Sequence, residues 1–127
     1  MVAEVRKPRP HAGVIAWFEA VPAAELFLSV LVVGEIEQGV ERLRVPDPRR
    51  AAAYAAWLGL LRTDYGDRVL PITDAIAVEW GRLNARRTLP VVDGLMAATA
   101  RVHGLTVVSR NAADFRHTGV PVLDPFE

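Results

Sequence analysis

The residues of this chain best suited to chemistry are carboxylates and amides at the edges of apolar segments. Asp93 lies three residues before Met96 and seven before Ala100, so on a helix it heads a face that is otherwise small and apolar. A carboxylate entering such a face is costly unless a cation or hydrogen-bond donors meet it. Glu35 lies three residues after Val32 and four before Gly39, at the border of a second helical stripe. Asn111 and Asp114 follow the apolar run Leu105–Ser109, with Arg110 beside them. Brought together, Glu35, Asp93, Asn111 and Asp114 would form a set of hard oxygen ligands without histidine or cysteine. Such a set suits Mg²⁺ or Mn²⁺, which bind through few carboxylates and keep several waters. The implied chemistry is metal-assisted hydrolysis of a phosphodiester.

Each of these residues also has an ordinary structural role. Glu35 serves as a rim carboxylate on an amphipathic helix, and Asp93 as an acidic residue favoured by the helix dipole at an N-terminus. Asn111 and Asp114 are good turn and cap residues. Asp47 and Asp74 read as caps, Glu37 and Glu41 as a solvated face, and His11, His103 and His117 show no ligand spacing. On residue types alone the two sets of roles stand side by side.

The elements that must position these residues can be read in order. Val14, Trp17, Phe18 and Val21 recur at helical spacing up to Pro22, and Leu26–Val30 is an apolar run without alternation, as in a strand buried on both faces. From Val32 a helix carries the stripe Val32, Ile36, Val40 and Leu43. Asp47-Pro48 caps the next helix, which runs to about Arg62 with Tyr54, Trp57, Leu58 and Leu61 inward. A turn at Asp64–Asp67 leads to a strand at Arg68–Ile72, and Thr73 or Asp74 caps a helix with Ile76, Trp80 and Leu83 on its buried side. Pro90 precedes a short helix bearing Asp93, which ends at Gly104; strands follow at Leu105–Ser109 and Val120–Leu123, with a short helix between them. Strands separated by helices predict an α/β fold with a parallel sheet covered on both faces, and ligand sites in such sheets gather beyond the strands' carboxyl ends.

The 127 residues, 51% of them hydrophobic, suffice for one domain spanning 1–127. Fifteen basic residues balance fifteen acidic ones, so a polyanion partner has to be held by local arginine clusters such as Arg86, Arg87, Arg101, Arg110 and Arg116. Arg110, beside the acidic loop, is the leading substrate contact and Arg101 the weakest candidate. The absence of cysteine excludes disulfides and thiolate metal sites. The uncharged run Leu26–Gly34 is far shorter than the roughly 20 residues of a membrane span. With Glu4, Arg6 and Lys7 near its start the chain reads as a cytoplasmic protein. Trp17, Phe18 and Trp57 exceed what a small core obviously needs, which leaves either packing or an interface as their role.

Four segments taken together resemble a known family. They are Ser29-x5-Glu35-x3-Gly39, Pro90-Val-Val-Asp93-Gly-Leu-Met-Ala-Ala-Thr-Ala, Gly104-Leu-Thr-Val-Val-Ser-Arg-Asn111-x2-Asp114-Phe, and Gly119-Val-Pro-Val-Leu-Asp-Pro-Phe. They are similar to the PIN-domain ribonucleases, and more narrowly to the VapC and FitB-like toxins of type II toxin–antitoxin systems. The resemblance covers nearly the whole chain. It implies a three-layer α/β/α fold and a Mg²⁺- or Mn²⁺-dependent endoribonuclease, commonly a homodimer, inhibited by a cognate antitoxin. It carries metal-ligand roles onto Glu35 and Asp93, with Asn111 where some members place a further acid, and Asp114 as the aspartate of the Asp-Phe pair. One departure stands out: the family's opening strand, ending in Asp-Thr-Asn, would fall upstream of Met1-Val-Ala-Glu-Val-Arg-Lys-Pro. The expectation is then a sheet lacking its first central strand, with low stability and weak metal affinity. Two rival readings follow: a catalytically impaired PIN-like module that binds an antitoxin or RNA, and a different Mg²⁺ phosphohydrolase.

Overall fold

A computed structural model of the chain describes residues 20–109 and 112–124. The helix expected at Val14–Val21, with Trp17 and Phe18, lies outside them but for its end, where Ala20 is helical. The chain's first residues, on which the missing-strand expectation rests, also lie outside them. Two compact units are distinguishable, one formed by Phe27–Ile72 and the other including the described residues from Thr73 onward.

In the first unit, strand β1 (Leu28–Ser29) passes directly into helix α1 (Val30–Leu43). The expected strand Leu26–Val30 is thus shortened, and the helix starts two residues before Val32. Ser29 is the reason. With extended backbone (φ −71°, ψ 143°), its hydroxyl accepts a hydrogen bond from the Leu31 amide, capping the helix at once. After the turn Arg44–Pro46, the Asp47 carboxylate accepts from the Arg50 amide at 3.2 Å, and Pro48 opens helix α2 (Pro48–Tyr65). Ala51, Trp57, Leu58 and Leu61 of α2 are buried, with Tyr54 half-buried, whereas of the stripe expected on α1 only Val40 is buried and Val32, Ile36 and Leu43 are half-buried. Trp57 is therefore a core residue, and Tyr54 meets it edge-on at 6.0 Å. Helix α2 runs three residues past the expected end at Arg62. Gly66, at φ 51°, and a 3₁₀ turn over Gly66–Arg68 then lead to strand β2 (Val69–Leu70). Strand β2 pairs in parallel with β1 in the register Leu28↔Val69 and Ser29↔Leu70.

In the second unit, the Thr73 hydroxyl accepts from the Ile76 amide and so caps helix α3 (Asp74–Arg86), which settles the choice between Thr73 and Asp74. The Asn84 side chain accepts from the Leu89 amide, tying down the loop to helix α4 (Val91–His103). Helix α4 is a full 13-residue element, longer than the short helix expected. It buries Gly94 and the consecutive residues Ala97–Ala100, so it is covered on more than one side. It packs on α3 and on strand β3 (Val107–Val108), which pairs in parallel with strand β4 (Val122–Leu123). The four strands among the described residues are each two residues long, against the four or five expected for each, and they form two separate parallel pairs. The apolar runs are real, but a strand extends only as far as a partner's backbone runs beside it. No helix among the described residues is long and apolar enough to cross a membrane.

Candidate acidic site

Asp93 occupies the first turn of α4, half-buried, where the unpaired amides of the helix start favour a negative charge. The close approach of α3 creates this setting. Gly94 follows Asp93, and a β-carbon there would sit 2.9 Å from both Cδ1 and Nε1 of the Trp80 indole. Only glycine lets the Trp80 ring lie that near the α4 backbone. The Trp80 N–H is buried and has no hydrogen-bond partner among the described residues.

The other end of α4 fixes the approach of the second acid. Gly104, left-handed at φ 67°, ends the helix, and the Leu105 amide donates to the Ala100 carbonyl at 2.8 Å. The chain then forms β3 and returns through a 3₁₀ segment, Ala112–Thr118, that packs on α4 and carries Asp114. Phe115 anchors this segment in the core at 3% exposure. Arg101 ties the segment's end down. Its Nε donates to Glu79 of α3 at 2.9 Å, and a terminal nitrogen donates to the Thr118 carbonyl at 3.2 Å.

Burial pushes the Asp93 carboxyl above the ordinary carboxylate value, and the negative charge of Asp114 pushes it further. Among the described residues neither carboxylate has an ion pair or hydrogen bond to a cationic group. The charge that acts on Asp93 is thus that of a second acid, the opposite of what stabilises an isolated carboxylate. Two carboxylates within electrostatic range and without a cation form a donor set suited to a divalent metal ion. No group of three acidic, histidine or cysteine side chains is brought together among the described residues.

The remaining expected site residues are placed as follows. Glu35 lies on the exposed side of α1, in the other unit, consistent in position with its rim role. Arg110 and Asn111 lie outside the described residues. Arg86, Arg87 and Arg116 are solvent-exposed, whereas Arg101 is engaged structurally by Glu79 and Thr118, in keeping with its low rank as a substrate contact. Sequence reasoning missed Glu79 and the Gly94–Trp80 contact. A glycine inside a helix costs about 1 kcal/mol relative to alanine and so signals a close approach, and that signal was present at Gly94. Glu79 carried no comparable signal.

Comparison with known proteins extends these observations. The chain matches the PIN domain over residues 1–121. It is 25% identical to Toxin FitB of Neisseria gonorrhoeae, over 99% of this chain and 94% of that protein. It is 28% identical to VapC ribonuclease Y4jK of Sinorhizobium fredii, over 100% of this chain and 94% of the relative. The crystal structure of FitAcB from Neisseria gonorrhoeae superposes with a TM-score of 0.89 at 24% identity, covering 99% and 94% of the two chains, which is a likeness of fold. With the PIN domain matched over nearly its whole length and toxin relatives named FitB and VapC, the chain belongs to the PIN-domain family and is VapC- and FitB-like within it.

Proposed function

We propose that this protein is a metal-dependent endoribonuclease toxin of the VapBC type, cytoplasmic, hydrolysing RNA phosphodiester bonds and held in check by a cognate antitoxin. The observation that carries the proposal is the half-buried Asp93 in the first turn of α4, without a cationic partner among the described residues, its carboxyl raised by burial first and by the charge of Asp114 second. That arrangement is unfavourable by itself and becomes favourable when a divalent cation is shared. The names of the relatives support the same reading, one being a toxin and another a VapC ribonuclease. An antitoxin partner is in keeping with the name of a further structure of similar fold, a toxin–antitoxin complex from Klebsiella pneumoniae, with a TM-score of 0.66 at 22% identity.

In this reading Asp93 and Asp114 hold a Mg²⁺ or Mn²⁺ ion. Glu35 and Asn111 are assigned to the same ligand set by sequence position alone. Once bound, the ion supplies an activated water and neutralises charge on the scissile phosphate. The protein's own groups set the geometry. Trp80 against Gly94 fixes the head of α4, and Arg101 fixes the 3₁₀ segment behind Asp114. Arg110 contacts the substrate phosphate, and the protein acts as a homodimer. The test is cleavage of RNA with and without Mg²⁺, for the unaltered chain and Asp93→Asn, in the presence and absence of the antitoxin. Cleavage requires Mg²⁺ and disappears in Asp93→Asn; cleavage that survives both chelation and the substitution refutes the proposal.

A further inference from the structure

The turn between α3 and α4 carries two cations that the ligand set does not use. Arg86 closes α3, and Arg87 follows it in extended backbone (φ −155°, ψ 124°) with its amide still donating to the Leu83 carbonyl. Both side chains are exposed, and neither has an ion pair among the described residues. The turn that bears them is anchored. The Asn84 side chain accepts from the Leu89 amide at 3.1 Å, and Leu89 is buried, its β-carbon 3.6 Å from where one at Gly94 would stand.

The helical hairpin brings this turn to the head of α4, all within one unit of the chain. Trp80 meets Gly94, the residue after Asp93, so Trp80 and Asp93 stand at nearly the same level of the hairpin. Arg86 lies six residues past Trp80, about 9 Å along the axis at 1.5 Å per residue, on the side where the chain turns back into α4. An arginine side chain spans much of that gap. Two successive phosphates of one strand, one at Asp93 and the next at the turn, fit the spacing.

The charge at this turn is not balanced by neighbouring acids. Positions 80 to 92 hold three arginines and no acidic residue. Arg82 is 3.7 Å from Glu79, which also takes Arg101 at 2.9 Å, so that acid is engaged. Asp74 opens α3 about 18 Å from Arg86, at the opposite end of the helix. Asp93 and Asp114, at the head of α4, are the carboxylates assigned to the divalent ion, whose charge offsets theirs. A helix C-terminus favours one cation such as Arg86. A second beside it, Arg87, adds repulsion unless the two share an anion. A nucleic acid strand carries a charge on every residue, which suits a metal ion and an arginine pair in succession.

We propose that Arg86 and Arg87 form a phosphate-binding subsite for the nucleotide next to the scissile bond, holding single-stranded RNA by its backbone beside the head of α4. The proposal rests on the ribonuclease reading and adds to it the residues that grip the strand next to the metal. The planar fork of arginine matches phosphate oxygens, and such contacts position the strand without reading its bases.

The experiment measures binding of poly(U) as a function of salt, in an Asp93→Asn background that prevents cleavage. Arg86→Gln with Arg87→Gln lowers the slope of log affinity against log salt by roughly 1.4, about 0.7 for each phosphate contact on a single strand. Arg82→Gln, which removes an exposed cation one turn back on the same helix, leaves the slope unchanged. With Asp93 intact and no RNA, Mn²⁺ binds the arginine pair variant as tightly as the parent. An unchanged slope in the pair variant, with the parent binding poly(U) normally, overturns the subsite while leaving the ribonuclease reading intact. An equal loss per arginine in Arg82→Gln reduces the effect to diffuse charge, and a matching loss of Mn²⁺ affinity places it at the metal; either result overturns the subsite. Unchanged poly(U) binding accompanied by loss of the antitoxin complex assigns the arginines to a protein partner and equally overturns it. Failure of the parent to bind RNA at all removes the ribonuclease reading, and the subsite with it.

Discussion

Replacing Gly94 with alanine offers a direct test of how the head of α4 is built. Alanine is the better helix former by about 1 kcal/mol, so in an open helix the change would stabilise. Here the new methyl would stand 2.9 Å from two atoms of the Trp80 indole and 3.6 Å from the Leu89 β-carbon. The nearer contacts lie on a rigid ring whose edge is buried, so relief requires either the α3–α4 spacing or the Trp80 rotamer to change. Overpacking of this kind costs about 1–3 kcal/mol. Set against the gain in propensity, the net loss is about 1 kcal/mol, or roughly 3–5 °C in melting temperature for a chain of this size. A Trp80→Leu background removes the ring, and there Gly94→Ala recovers its intrinsic gain. Thermal unfolding of the four proteins of this cycle, followed by circular dichroism, yields a coupling of about 1–2 kcal/mol. If Gly94→Ala shifts the melting temperature equally in both backgrounds, to within about 0.5 kcal/mol, the close approach of Trp80 is not what demands glycine and the reasoning fails.

Other expected outcomes follow from the same geometry. Because the Asp93 carboxyl is raised in the folded protein, its contribution to stability is complete below the ordinary carboxylate value near pH 4 and is lost as pH rises through the raised one. Metal-free Asp93→Asn is therefore more stable than the parent at pH 7, by an amount kept small by solvent screening of this partly exposed group, and denaturant titrations across pH show the advantage vanishing in acid. Glu35→Gln leaves the melting temperature unchanged because the side chain is exposed, while Mg²⁺-dependent RNA cleavage falls at least about ten-fold; undiminished cleavage removes Glu35 from the ligand set. Arg101→Ala destabilises by about 1 kcal/mol, and Glu79→Gln adds little once Arg101 is gone, which a double-mutant cycle measures. Ser29→Ala costs about 1 kcal/mol through loss of the α1 cap, read in a chemical melt.

Those features whose causes are local were legible in the sequence. Asp47 before Pro48, Thr73 before α3 and Gly104 after α4 all perform the capping roles their residue types suggest, because each acts within a few residues of itself. The buried stripe of α2 was equally plain, since Trp57, Leu58 and Leu61 repeat at helical spacing. Strand lengths were not, because a strand ends where its partner does, and the partner of Leu28 is 41 positions away at Val69. Nor was the tie from Arg101 to Glu79 and Thr118, which joins three segments distant in sequence. For the candidate site, Asp93 was legible as a carboxylate at a buried edge. That its neighbour would be Asp114 depended on the 3₁₀ segment folding back onto α4; the rule that sites gather at the carboxyl ends of parallel strands pointed there, and the family resemblance pointed the same way.

The brevity of the four strands bears on how the protein forms and breathes. Each parallel pair of two residues contributes few inter-strand hydrogen bonds, whereas the helical hairpins α1–α2 and α3–α4 join sequence neighbours through short turns. Contacts of low sequence separation form early because little chain entropy is spent in closing them. The hairpins are accordingly the natural nuclei, and the strand pairs the later additions. In native-state hydrogen exchange the most protected amides then belong to the interiors of α2 and α4, with the amides of Val107 and Ser109, which donate to Pro121 and Leu123, opening first. The segment that brings Asp114 to Asp93 lies between those two strands, so the acid pair comes together only when the last-formed part of the molecule has closed.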